Sequence, residues 1–155
     1  MKWLKRVLIA LVVLFVAIQV IRPARTNPAV DPTRTIQAVT KMSPDVDAIL
    51  KRSCNDCHSY ETKWPWYTNI APVSWFVIRD VNEGREHASF SDWASYNRKK
   101  AIHVLDEMND EVMEGDMPLP KYVRMHPEAA LSEVDRSRLL TWIMEEKIRL
   151  ESQSN

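Results

Sequence analysis

Cys54-Asn55-Asp56-Cys57-His58 sets two thiols three positions apart, with an imidazole directly after the second. That spacing is close to one turn of helix, so the stretch is expected on helical backbone, with both sulfurs and the ring available to one bound group. A C-x-x-C-H run of this kind reads as an attachment site for c-type haem. Cys54 and Cys57 are then the thioether anchors and His58 the proximal iron ligand.

Three other chemistries use such cysteines. A tetrahedral zinc site needs further ligands at short spacing, yet the chain has only these two cysteines, and His87, His103 and His126 are scattered singly. A redox dithiol usually follows a strand in a βαβ unit, which the sequence does not show. A structural disulfide between Cys54 and Cys57 is the third. Haem is the reading that uses His58 as well.

Around this motif helix signals recur and strand signals are weak, so the expected fold class is all-α. Ser43-Pro44 reads as an N-cap with proline in the first helical position, and Val46, Ile49 and Leu50 repeat at helical spacing up to Cys54. A second helix is expected from about Pro72 through Trp75, Phe76, Ile78 and Val81 towards Gly84. A third is expected from Ser91 or Asp92 to Glu114, with Ile102, Leu105, Met108 and Val112 on one face and Gly115 as its stop. Ser132-Glu133-Val134-Asp135 is a capping-box variant opening a last helix that carries Leu139, Trp142 and Ile143.

Ahead of all this lies Met1-Lys2-Trp3-Leu4-Lys5-Arg6 and a nearly unbroken apolar run over residues 7–21, interrupted only by Gln19. It reads as an export segment. The run is short for a bilayer span, but Trp3, Leu4 and the stems of Lys5, Arg6 and Arg22 extend it. Gln19, Val20 and Ile21 make a poor cleavage site, so residues 1–22 are expected to stay as a transmembrane signal anchor. Residues 23–42, with Pro23, Pro28 and Pro32, read as an extended linker holding the domain off the membrane, and residues 43–150 as the haem domain.

The expected location is the bacterial inner membrane, single-pass, with the domain on the periplasmic or extracytoplasmic side, where c-type haem is attached. The formal charge is zero overall, but the first 25 residues hold five cations and no acid, which leaves 16 basic against 21 acidic residues beyond them. An acidic domain argues against nucleic acid and favours a redox partner with a basic surface.

An electron-transfer haem takes a second ligand from a distant segment. Gly115-Asp116-Met117-Pro118-Leu119-Pro120 is the expected source, because Pro118 pushes Met117 out of helical backbone and two prolines stiffen the loop. Met113, Met125, His103, His126 and an open site are the alternatives, and Met117 as plain packing is another. Trp64, Trp66 and Tyr67 are candidates to wall the porphyrin, with core packing as the equal alternative. Arg79 is a candidate propionate partner or a solvated cation. His126 is a candidate supporting group near the Met117 loop, and Arg98, Lys99 and Lys100 form a basic cluster on a solvated face.

Ser53-Cys54-Asn55-Asp56-Cys57-His58-Ser59, Trp64-Pro65-Trp66-Tyr67, Ile70-Ala71-Pro72, Gly84-Arg85, Met117-Pro118 and His126-Pro127-Glu128 together resemble the bacterial haem-binding domain family of small exported proteins. The resemblance runs from about Pro44 to Trp142. It implies a cytochrome c-like helical domain with Cys54, Cys57 and His58 as the site of one covalent haem c. Met117-Pro118 also looks like the distal methionine loop of monohaem cytochromes c. The function expected is membrane-tethered electron transfer, more a carrier than an enzyme. A haem sensor or haem enzyme with a displaceable distal ligand is the alternative, and a disulfide-held structural module a third. No nucleophile motif, phosphate loop or paired carboxylates are evident.

Overall fold

Ser43 starts a helix for the reason its sequence suggests: its hydroxyl accepts the Val46 amide at 3.3 Å, and Pro44 occupies a position whose amide has no partner to lose. The computed structural model describes residues 1–153, and every regular element among them is helical. In chain order these are α1 (Lys2–Ile18), α2 (Ile36–Val39), α3 (Pro44–Ser53), α4 (Asn55–His58), α5 (Val73–His87), α6 (Arg98–Glu114), α7 (Pro120–Met125) and α8 (Glu133–Ser152). Short 3-10 turns lie at Trp66–Asn69, Phe90–Ser95 and Pro127–Ala129.

The core forms where α3, α6 and α8 meet. Ile49 and Leu50 of α3, Val104 and Leu105 of α6, and Leu139 and Ile143 of α8 are all but sealed from solvent. Each such side chain contributes roughly 1.5–3 kcal/mol of burial. Gly115 ends α6 with a left-handed φ of 85°, which its lack of a Cβ permits, and Arg136 of α8 donates to the Val112 carbonyl left open at that end. Helix α6 begins at Arg98, later than Ser91 or Asp92. Asn97 supplies the stronger cap, accepting the Lys100 amide at 2.9 Å, while Asp92 breaks the helical run at φ −132°. Helix α5 continues through Gly84 to His87 instead of ending at the glycine.

The capping box of α8 also ties it to α3. Asp135 Oδ2 accepts the Ser132 hydroxyl at 2.7 Å, the Ser132 amide at 3.1 Å and the Arg52 guanidinium at 3.1 Å. The Ser132 hydroxyl first, then its amide and the Arg52 charge, hold the Asp135 carboxyl below its usual range. A carboxyl depressed in the folded state stabilises above its unfolded value near 3.9 and loses that contribution as pH falls through the lower folded value. Asp135→Ala should therefore be about 1 kcal/mol less stable than the parent at pH 7. Urea unfolding of the two across pH should converge only as pH falls below the ordinary carboxylate range.

The first 42 residues depart from the expected organisation. Helix α1 stops at Ile18, well before residue 22; its 17 residues rise about 26 Å against the roughly 30 Å of a bilayer core. No described helix is long and apolar enough to cross a membrane. Gln19 explains the stop, since its side-chain amide donates to Phe15 O at 2.9 Å and to Ala71 O at 3.0 Å, while its carbonyl oxygen accepts the Ala71 amide at 2.9 Å. A side chain so bonded draws the chain out of the helix and onto the domain.

The following residues are not a free tether either. Arg85 donates to Thr26 O, Asn27 Oδ1, Ser59 O and Thr62 Oγ1, each at 2.8 Å. Arg34 pairs with Asp92 at 2.8 Å, and Ile36 is fully buried in the core. Proline content marked these residues as non-helical; the polar atoms that pin them belong to distant side chains, above all Arg85.

Candidate functional site

Helix α3 ends on the Cys54 amide bonded to Leu50 O at 2.9 Å, and the backbone breaks there at φ −126°, ψ −36°. Asn55 to His58 then form their own turn, with the Cys57 and His58 amides bonded to Cys54 O at 3.1 and 3.0 Å. Helix α5 packs tightly on this turn at Gly84. A Cβ there would lie 2.9 Å from Cys57 O and 3.2 Å from Cys57 Cβ, so the motif and α5 pack backbone to backbone.

That approach carries the chain on to Ala88, whose carbonyl lies 3.1 Å from His58 Nδ1. A carbonyl can only accept, so Nδ1 carries the proton and Nε2 keeps its lone pair. This is the arrangement in which histidine ligates a metal through one nitrogen while the other is oriented by the backbone. Burial pushes the His58 pKa down, which keeps the ring neutral and able to ligate. Phe90 stacks on it, with centroids 5.3 Å apart and planes 24° from parallel.

Cys54, Cys57 and His58 open into a cavity of about 590 Å³, within the range usual for cofactor sites. Ser53, Gly84, Ala88, Phe90, Val104 and Leu139 supply part of its wall, and Met117, Pro118, Leu119 and Tyr122 close another part. Both thiols are free. Burial pushes Cys54 up to about 12 and Cys57 up to about 11, the reverse of the depressed values that make a dithiol reactive. Two free thiols, a fixed imidazole with its Nε2 lone pair unused, and a thioether on the same cavity are the donor set that a covalent haem needs. The buried Ser53 Oγ, which has no partner in the fold, adds a polar atom on that wall. The residues fit the group.

Met117 reaches the cavity because α6 ends as it does: the Gly115, Asp116 and Met117 amides all turn back to Glu111 O. The loop is then fastened to the motif itself. Tyr122 of α7 donates to Asp56 Oδ2 at 2.7 Å, stacks on His126 with centroids 4.5 Å apart, and His126 Nε2 accepts the Tyr67 hydroxyl at 2.7 Å. Burial first, and then the hydrogen bond to Asp56, push the Tyr122 pKa up, so its hydroxyl stays a donor. His126, also 3.2 Å from Glu128 through Nδ1, thus supports the loop from behind and does not line the cavity.

The aromatic trio is placed elsewhere. Trp64, Trp66 and Tyr67 are not on the cavity wall; Trp66 is 71% exposed and Tyr67 is engaged with His126. The 3-10 turn Trp66–Asn69 carries Trp66 and Tyr67 off to the side. Arg79 does line the cavity, at a rim shared with Asp80, Glu83 and Lys121, and sits 3.6 Å from Asp80 and 3.7 Å from Glu83. Met113, Met125, His103 and His126 do not reach it, whereas His87 and Met108 do. Sequence reasoning passed over these last two, together with Phe90 and Asp56. Only Phe90 had a legible signal, as an aromatic three residues beyond the end of a helix.

No curated protein and no solved structure matches the chain. The family model described as a haem-binding domain matches residues 13–145, which takes in the cysteine motif, α5, the Met117 loop and most of α8. With a fitting donor set on one cavity and a match over most of its length, the chain belongs to the haem-binding domain family.

Proposed function

We propose that this chain holds one haem c covalently through Cys54 and Cys57, with His58 and Met117 as the residues that would ligate its iron, and serves as a membrane-held electron carrier. The observation that carries this reading is that all four side chains line one cavity although Met117 lies far along the chain. Bound there, the haem supplies a one-electron ferrous–ferric couple. The chain's own residues fix the conditions. Ala88 O orients the imidazole, Tyr122 and Asp56 hold the methionine loop to the attachment turn, and the apolar wall keeps water from the iron ligands. Arg79 and Lys121 at the rim are the cations that would meet the propionates.

The acidic surface suits a basic redox partner. Helix α1, with no buried side chain, is the element that would seat in lipid, on the extracytoplasmic side of a bacterial inner membrane.

Mass spectrometry of the denatured mature protein tests the attachment. Haem should stay with the chain through acid extraction, one thioether should survive Cys54→Ala or Cys57→Ala, and the double variant should release all of it. Release from the parent protein would defeat the covalent reading and leave a haem-binding protein of another kind.

A further inference from the structure

We propose that the domain lies flat on the phospholipid surface through the face formed by Trp66, Ile70, Val73 and Phe76, so that α1 and this face enter one bilayer together. This rests on the reading of α1 as the lipid-seated element. The four side chains are 71%, 37%, 44% and 52% exposed, and they belong to one short stretch of chain. That stretch is bonded to the end of α1 at three points. Gln19 exchanges hydrogen bonds with Ala71 in both directions, and the Trp75 indole donates to Ile21 O at 2.8 Å. An apolar helix fixed in this way delivers its membrane to residues 66–76.

The chemistry of the face suits the interfacial zone of a bilayer. Tryptophan and phenylalanine bury their rings at the headgroup level, where tryptophan is enriched. Arg22 and Arg25 flank it, and Arg25 is held there by a 3.2 Å bond to Thr68, which places cations against anionic headgroups. Asp80, a half-buried acid further along α5, is already paired with Lys121 at 2.7 Å. The same helix that begins at this face with Val73 and Phe76 lines the haem cavity at Arg79, Glu83 and Gly84. From Phe76 to Gly84 the helix rises about 12 Å. Docking therefore sets the cavity rim close above the headgroups, within reach of a redox partner seated in the same membrane.

The haem-loaded full chain in vesicles of phosphatidylethanolamine and phosphatidylglycerol, with a diazirine-bearing phospholipid as probe, tests this by peptide mapping of the cross-links. Labelling of both residues 1–18 and 66–76 is the expected result. The Trp66→Ser/Phe76→Ser double variant, altered only at exposed positions, should label roughly tenfold less at 66–76 with α1 labelling unchanged. Labelling of α1 alone would overturn the docking and leave the tether standing. Labelling of 66–76 alone would uphold the docking and remove the tether, and labelling of neither segment would overturn both.

Discussion

Gly84→Ala should lower the unfolding free energy by about 2 kcal/mol, with Gly84→Leu worse still. In an ordinary helix this exchange would stabilise by about 0.8–1 kcal/mol, because alanine has the better propensity. Here the added carbon meets Cys57 O at 2.9 Å and Cys57 C at 3.2 Å, atoms of the backbone that cannot swing aside as a side chain would. Relief requires α5 to back away from the attachment turn. That motion also pulls Ala88 O from His58 Nδ1, since Ala88 directly follows α5, so lost stability and a displaced His58 ring should appear together. Urea unfolding read by far-UV dichroism gives the first, and the haem absorption of the matured variant the second. An alanine variant as stable as the parent would mean that the two backbones are not in contact in solution.

Local signals made much of this fold legible. Ser43, Gly115 and Ser132 mark helix ends through a hydroxyl that accepts an amide or a residue free to take positive φ, and those interactions span only a few residues. Cys54, Cys57 and His58 were legible as a cluster because they share one turn, and all three line one cavity. Trp64, Trp66 and Tyr67 lie off the cavity because closeness in sequence to a motif says nothing about direction, and a 3-10 turn carries Trp66 and Tyr67 past it. The bonds that fold the proline-containing linker onto the domain come from Arg85, more than fifty residues away, as do those from Gln19 to Ala71. Such pairs carry no periodicity. The role of Gly84 was hidden for a related reason: a glycine near a helix end reads as a stop, and only the neighbouring backbone shows it to be a point of close approach.

Met117→Ala should change the iron most. A thioether paired with histidine raises the reduction potential, so its loss should lower the potential on the order of 100 mV, within the roughly 0.8 V that axial ligands command. Acidic Glu83, Glu107, Asp110 and Glu111 on the same cavity favour the ferric state and act in the opposite direction to the methionine. With Met117 gone that ferric preference remains, offset only at the rim by Arg79 and Lys121. The long-wavelength charge-transfer band of the oxidised protein should vanish, and carbon monoxide should bind the reduced form rapidly where the parent resists it. Met113→Ala and Met125→Ala are controls that should leave the spectrum unchanged, because these side chains are 63% and 55% exposed and away from the cavity. Met108→Ala and His87→Ala are the informative rivals, since both residues line it. If either removes the band while Met117→Ala spares it, the distal ligand is that residue. If the parent already takes carbon monoxide rapidly, the iron has an exchangeable site and sensing or catalysis replaces electron carriage as the better account.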